Sequence, residues 1–311
     1  MSQDQTALVA VDWGTSALRA ARLDAQGGVL EERALPRGIL TIPSGEFASF
    51  FVANFSYWTR GNHIFTLISG MAGSKQGWKE APYCPCPAGF DEVAAALTWI
   101  EPHRIAIVPG LSCEHPHAPD AMRGEEVQIF GAMQLTGLRD GIFVLPGTHS
   151  KWAQVKNGRV TSFKTYMTGE IYALLSQHSI LAKTLPAESD APLDAQAFAQ
   201  GIATSRSGTG LLHTAFSART LSLFSRMDSA ALPSYLSGLV IGEELRLQMP
   251  HATQARPGAD GDVVLIGSST LTARYSQALA LHGVHSRSLG SEATWAGLHA
   301  LAGSVRVSPA F

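Results

Sequence analysis

Cysteine is scarce in this chain. Only Cys84, Cys86 and Cys113 occur in 311 residues, an odd and sparse set that excludes a disulfide framework and fits a reducing compartment. Positive charge is thin as well: 23 Lys and Arg stand against 25 Asp and Glu, for a net charge of −2. No basic run occurs, so the electrostatic footprint of a nucleic-acid binder is missing. No uncharged apolar run reaches the roughly 20 residues of a membrane span. Met1-Ser2-Gln3-Asp4-Gln5 lacks the basic start and apolar stretch of a signal peptide. A soluble, cytoplasmic protein is expected. What the chain does have is 45% hydrophobic and 15% charged residues, an ordinary globular composition with length for a large core and two domains.

Near the N-terminus, Asp12-Trp13-Gly14-Thr15-Ser16 separates two apolar runs, 7–11 and 18–23, and reads as strand, loop, strand. One carboxylate, one glycine and two hydroxyls suit the terminal phosphates of a nucleotide. Gly14 lets the backbone approach an anion, while backbone N–H groups and the Thr15 and Ser16 hydroxyls donate hydrogen bonds. Asp12 can hold Mg2+, through water, because that ion keeps its hydration shell. On the five residues alone, an ordinary hairpin turn is the favoured account. A second unit mirrors the first: the apolar run 141–145, the loop Pro146-Gly147-Thr148-His149-Ser150-Lys151, the run 152–155, the turn Asn157-Gly158 and the run 160–166. The repeat suggests two similar domains clasping one ligand, and it favours the phosphate reading of the first loop.

Elsewhere, 29–35, 64–68, 105–108 and 263–266 read as strands. Helices are expected at 46–57 (capped by Ser44), 92–100, from Glu125 onward (Val127, Phe130 and Leu135 near helical spacing), 171–176, 195–205, 211–224, 235–247, 271–281 and 292–301. Stretches 225–233 and 250–260 read as connecting loops. The 64–68 strand runs into Ser69-Gly70-Met71-Ala72-Gly73-Ser74-Lys75, a usual place for a ligand loop in an open α/β sheet. Gly73-Ser74-Lys75 lacks the Gly-Lys step of a Walker A motif. Pro82-Tyr83-Cys84-Pro85-Cys86-Pro87 reads as a proline-stiffened loop. With Cys113, His115 and His117 it could make a zinc site, but Cys-x-Cys spacing is atypical and ranks below a structural loop.

The three loops, in order, resemble motifs of the acetate-and-sugar-kinase, actin and heat-shock-ATPase superfamily. Asp12–Ser16 is similar to its first phosphate motif, Leu145–Ser150 to its second, and Val264-Leu265-Ile266-Gly267-Ser268-Ser269 to its adenosine motif. Within that group, SGMAGSKQGW, EAPYCPCPAG, MRGEEVQIFGAM, LPGTHSKW, YMTGE and YLSGLVIGEEL, spread over essentially the whole chain, resemble the 2-dehydro-3-deoxygalactonokinase family. The resemblance implies an α/β fold class of two ribonuclease-H-like (actin-like ATPase) domains with an interdomain cleft, 1–138 and 139–290, with helix 291–311 packing back on the first. It implies phosphorylation of 2-dehydro-3-deoxy-D-galactonate at its 6-hydroxyl, with ATP and Mg2+ as cofactors. The partners implied are a sugar acid and ATP; a homodimer is compatible, and no nucleic acid or membrane is.

Carried residue by residue, the resemblance gives Asp12, Gly14, Thr15 and Ser16 to phosphates and Mg2+. Gly147, Thr148, His149 and Ser150 go to the β- and γ-phosphates, Gly267 and Ser268 to the base, and Ser69, Gly70 and Met71 to the sugar. Related sugar kinases carry Gly-Asp before the second phosphate motif; here the place reads Gly124-Glu125, which nominates Glu125 as catalytic base, or Glu126 after a one-residue slip. An acidic substrate needs a cation, and Lys75 and Arg123 are the candidates, with Lys151 a third and the face used by Arg19 undetermined. The rival functions are a kinase for another keto-acid or ketose, an actin-like ATPase switch, and a sugar-sensing regulator of the same fold. The second needs no sugar loop, and the third normally adds a helix-turn-helix module.

Overall fold

The computed structural model describes residues 6–60, 64–186, 192–252 and 263–307. It opens with strands β1 (Leu8–Trp13), β2 (Leu18–Leu23) and β3 (Val29–Leu35), helix α1 (Phe47–Phe55) and β4 (Phe65–Gly70). Then come β5 (Cys84–Pro85), α2 (Phe90–Ala95), β6 (Thr98–Glu101), β7 (Ile105–Ile107), β8 (Leu111–Cys113), β9 (Asp120–Met122) and α3 (Glu125–Thr136). A second run holds β10 (Gly141–Leu145), β11 (Ser150–Lys156) and β12 (Arg159–Tyr166), then α4 (Thr168–His178), α5 (Ala195–Ser205), α6 (Leu211–Thr214), α7 (Ser217–Leu223) and α8 (Leu232–Ala252). Last are β13 (Val263–Ile266), α9 (Ser269–Ala280), β14 (Ser286–Leu289) and α10 (Glu292–Val307).

Two sheets repeat one strand order. The first runs β3-β2-β1-β4-β7-β6 and the second β12-β11-β10-β13-β14. In the first, β1 is antiparallel to β2 and parallel to β4, β4 is parallel to β7, and β6 is an added antiparallel edge. In the second, β10 is parallel to β13. With the added edge strand β6 left out and the strands counted within their own sheet, each reads 3-2-1-4-5, the ribonuclease-H-like order, so the fold is the α/β pair that the repeated loops predict. Burial follows position in the sheet. Central β1 is buried except at Asp12, whereas edge β3 is largely exposed, its Glu31, Glu32 and Arg33 guarding the edge against pairing.

The chain divides into two compact units. Unit 1 is 1–140, 153–163 and 289–311; unit 2 is 141–152 and 164–288. The core of unit 1 gathers Trp13, Phe47, Phe51, Phe55, Trp58, Ile68 and Ile107, with the Trp13 ring 5.5 Å from Phe47 and 6.2 Å from Trp78. Unit 2 packs Phe198, Ile202, Leu245, Leu265 and Tyr275. Each unit also contains one helix pair in backbone contact. In unit 1, a Cβ on Gly131 of α3 would lie 1.7 Å from Ala293 O of α10, and one on Gly297 of α10 would lie 1.9 Å from Val127 O. In unit 2, a Cβ on Gly201 of α5 or Gly238 of α8 would lie 2.1 Å from Tyr235 O or Phe198 O. Only glycine allows helices to approach that closely.

Several elements differ from the sequence reading. Asp12 and Trp13 end β1, and Ser150 and Lys151 begin β11, so both motif loops are shorter. Ser44 does not cap α1; Glu46 holds that place without a side-chain capping bond. Segment 92–100 is not one helix: α2 ends at Ala95, and Thr98 and Trp99, which fit a pleated surface, pair with β7 as β6, with Ile100 at a register shift. Leu135 is exposed, while Ile129 and Met133 join Val127 and Phe130 in the core. Proline-rich 82–87 contributes β5, paired with β8. Segment 211–224 breaks into α6 and α7, and α8 extends the 235–247 helix at both ends, which shortens the 225–233 connection. Of the 250–260 loop, 253–260 lie outside the described residues, as do Met1–Gln5 and 308–311.

Candidate functional site

In unit 1 the neighbours of Asp12 follow from strand register. It stands opposite Arg19 of β2 on one side and Ser69 of β4 on the other, and directly paired residues present their side chains on one face. Arg19 Nη2 accordingly donates to Asp12 Oδ2 at 2.7 Å, and its guanidinium lies 5.9 Å from the ring of Trp295 on α10. The loop after β1 is a tight turn, with Gly14 N–H donating to Ala17 O at 2.9 Å and Ile39 N–H donating to Gly14 O at 3.0 Å. It leaves Thr15 and Ser16 exposed. Trp13 roots it, buried and donating its indole N–H to Arg37 O at 3.1 Å.

Two glycines with positive φ bring further segments to this place. Gly70 has φ +86°, and a Cβ there would lie 2.8 Å from Trp13 O and 3.4 Å from Asp12 Oδ1. Gly124 has φ +104°, and its Cβ would lie 3.3 Å from Gly70 Cα. Asp12, the 69–71 segment and the first turn of α3 therefore adjoin. Ser69 is fully buried and its hydroxyl donates to Val11 O at 3.3 Å, so its side chain serves the sheet. Met71 is partly buried and Lys75 exposed.

Helix α3 begins with two carboxylates that reach back to N–H groups just ahead of it, where a helix start lacks acceptors. Glu125 Oε2 accepts from Arg123 N–H at 3.0 Å, and Glu126 Oε2 accepts from Gly124 N–H at 2.7 Å. Burial separates them. Glu125 is partly exposed, whereas Glu126 is completely buried and its Oε1 has no hydrogen-bond partner among the described residues. Burial, reinforced by the adjoining charge of Glu125, pushes the Glu126 carboxyl up to about 8, so it is protonated at neutral pH. Arg123 stacks on Tyr83 at 4.3 Å and donates Nη2 to Ala81 O at 2.8 Å. Its Nε and Nη1 are buried without partners among the described residues, and a Cβ on Gly73 would lie 2.7 Å from Nη1. A guanidinium this poorly satisfied is suited to an anionic group.

In unit 2, parallel β10 and β13 run side by side, so the loops at their carboxyl ends emerge together. A Cβ on Gly267 would lie 3.5 Å from Pro146 O. Gly147 is partly buried, Thr148, His149 and Ser268 are exposed, and Ser268 Oγ caps α9 by accepting from Leu271 N–H. Helix α4 clamps the 147–149 loop. A Cβ on Gly169 would lie 2.5 Å from Gly147 O, Glu170 N–H donates to Thr148 O at 3.1 Å, and Glu170 Oε2 meets His149 Nε2 at 2.6 Å. Ser150 and Lys151 are buried: Ser150 donates to Glu244 Oε1 at 2.8 Å, and Lys151 Nζ donates to Thr165 Oγ1 at 2.9 Å. The Ser150 hydroxyl thus points into the core of unit 2.

Glu244 is 2% exposed and takes four donors. Besides Ser150, Trp152 Nε1 reaches Oε1 at 2.5 Å, Tyr275 OH reaches Oε2 at 2.7 Å, and Thr168 Oγ1 donates to Oε2. Burial raises its pKa in spite of those bonds. Sequence reasoning does not reach Thr168, Glu170 or Glu244 as site residues, although a glutamate pair inside the apolar run SGLVIGEEL is a visible signal. Among the described residues, no group of three or more His, Cys, Asp or Glu is placed to hold a metal ion, and no helix is long and apolar enough to cross a membrane.

Comparison with known proteins agrees on one family. The model of the 2-keto-3-deoxy-galactonokinase family matches residues 12–301. The 2-dehydro-3-deoxygalactonokinase of Escherichia coli (strain K12) is 31% identical over 298 residues, covering 96% of this chain and 98% of its own. A protein of Rhizobium meliloti (strain 1021), named "Probable 2-dehydro-3-deoxygalactonokinase DgoK1", is 35% identical over 95% of this chain and 96% of its own. A crystal structure from Sinorhizobium meliloti, 35% identical, superposes with a TM-score of 0.86 over 97% of this chain and 100% of that one. With a matching family model across nearly the whole chain and full-length relatives above 30% identity, this chain belongs to the 2-keto-3-deoxy-galactonokinase family.

Proposed function

We propose that this kinase transfers the γ-phosphate of ATP to the 6-hydroxyl of 2-dehydro-3-deoxy-D-galactonate, with Mg2+, in the cytoplasm. Unit 1 handles the acceptor, the metal and phosphates, and unit 2 the β- and γ-phosphates and the base. The observation that carries the reading is the convergence of Asp12, Gly70 and Gly124 in unit 1, which gathers a metal-type carboxylate, a sugar-type loop and a candidate base. Phosphoryl transfer needs the acceptor oxygen held in line and its proton removed.

Glu125 is the better base of the pair. It is partly exposed, whereas Glu126 is sealed in and protonated at neutral pH, leaving it to hold the Gly124 turn. Arg123, with its unsatisfied guanidinium nitrogens, is the better receptor for the substrate carboxylate; Lys75, exposed on its loop, is the alternative. Ser69 supports the loop through its bond to Val11 O, and Gly70 and Met71 contact the sugar. The donor set fits Mg2+: one carboxylate, Asp12, whose Oδ2 is taken by Arg19 and whose Oδ1 faces the Gly70 side, is the usual protein share when phosphates and water supply the rest. When bound, the ion neutralises charge on the phosphate oxygens. Thr15, Ser16 and the Gly14 backbone serve phosphates in unit 1; Gly147, Thr148 and His149 serve the β- and γ-phosphates in unit 2, and Gly267 and Ser268 the base. Ser150 acts from below, through Glu244.

The test is a coupled assay with Mg2+ and a panel of acceptors: 2-keto-3-deoxygalactonate, its gluconate epimer, a pentulose, glycerol and none. Turnover confined to the keto-deoxy acids, with the galactonate form preferred, is expected. Turnover with neutral sugars only would remove the carboxylate argument, and ADP release without acceptor would point to an ATPase switch.

A further inference from the structure

We propose that Glu244 is a positioning residue for the nucleotide, setting two loops of unit 2 and the start of α4 from a single buried carboxylate; this rests on the reading that those loops hold ATP. Its four partners root three elements, β11, α4 and α9. Ser150 is the residue after the 146–149 loop and the first of β11. Thr168 is the first residue of α4, and the next two, Gly169 and Glu170, clamp Gly147, Thr148 and His149. Tyr275 lies on α9, whose capping residue Ser268 follows Gly267, itself stacked beside Pro146. Trp152, the fourth donor, fixes β11 against α8.

The chemistry suits the task. A carboxylate has about four lone-pair sites, and here two donors meet each oxygen. Among the described residues no cation is a hydrogen-bonding partner, so direction comes from four neutral donors on three elements, β11, α4 and α9, which cannot move independently without breaking a buried bond. A phosphate-holding loop needs that precision, because preorganised N–H groups help only when aimed at the charge.

The proposal separates from plain stabilisation by where the kinetic damage falls. Glu244→Gln keeps the volume and the acceptor towards Ser150 and Trp152, and it turns an NH2 group on Thr168 and Tyr275. ATP KM should rise by about tenfold, sugar-acid KM should stay unchanged, and nucleotide binding followed by calorimetry should weaken in step. Thr168→Val and Tyr275→Phe, each removing one donor, should give smaller shifts of the same kind, and they carry the test if Glu244→Gln does not fold. Thr148→Val, in the loop itself, serves as the control for the underlying reading. Damage to ATP KM in both the loop variant and the Glu244-network variants supports the proposal. Damage in the loop variant alone, with the network variants changing only Tm, overturns the proposal and leaves the nucleotide reading standing. An unaltered ATP KM in Thr148→Val overturns the loop reading, and the proposal with it.

Discussion

The two sheets have the same strand order, and each unit contains a helix pair that meets through glycines, yet their polar centres are built differently. In unit 1 the carboxylate at the end of the central strand, Asp12, is partly exposed and balanced by a charge, Arg19, at 2.7 Å. In unit 2 the corresponding strand end, Leu145, carries no carboxylate; the acid, Glu244, comes from α8, is buried, and is balanced by four neutral donors. An ion pair near water is loose and exchangeable, because solvent and salt compete with it. A buried carboxylate with a full set of hydrogen bonds is fixed. The comparison teaches that one fold can supply a carboxylate left able to change partners and a carboxylate built to hold still.

Variants can break this contrast. The largest effect is expected at Glu125→Gln, which should lower kcat about a hundredfold or more by removing the proposed base, while calorimetry still detects ATP binding. Near-native turnover would move the role to another group. Next is Arg123→Ala, which should raise the sugar-acid KM about tenfold or more without altering ATP KM; an equal rise in both would make Arg123 a structural residue. Gly297→Ala and Gly201→Ala push a methyl into facing backbone in units 1 and 2, at 1.9 Å and 2.1 Å. Each should cost about 1–3 kcal/mol, and hydrogen exchange should show the loss in its own unit. If both variants loosen the whole molecule equally, the units do not melt separately.

The last effect concerns pH. The Glu126 carboxyl is pushed up to about 8 in the folded protein by burial, above its ordinary value in the unfolded chain. The folded state therefore binds this proton more tightly, and the associated stability is full at acid pH and is lost as pH rises through about 8. Glu126→Gln has no such proton, so melting curves should show the wild type losing ground to the variant between about pH 5 and about pH 9. A difference that stays constant across that range would mean Glu126 ionises at an ordinary pH.

Much of this was legible in the sequence where local chemistry decides. The strand-loop-strand repeat and the Asn157-Gly158 turn, both residues with positive φ, are written in adjacent residues, and so is the start of α3 at Glu125. Strand β6 was hidden because 92–100 is apolar at helical and strand spacing alike, and pairing with β7 decided it. The Asp12–Arg19 pair was hidden by a register that no single strand reveals. Glu244 was hidden most deeply, since its donors lie 94, 92, 76 and 31 residues away in the chain. Ser150 illustrates the limit: its place beside the Gly147-Thr148 loop suggests phosphate contact, whereas burial turns its hydroxyl inward.

The packing of α10 on α3 has a consequence for the order of manufacture. Helix α3 belongs to the first 140 residues, but the backbone that fits against Gly131 and Val127 comes from Ala293 and Gly297. A ribosome reading from the N-terminus delivers α3 about 150 residues before its cover, and at ordinary elongation rates the exposed face waits for roughly ten seconds or more. During that interval the N-terminal segment presents an apolar, glycine-notched groove for which the chain has not yet made the occupant.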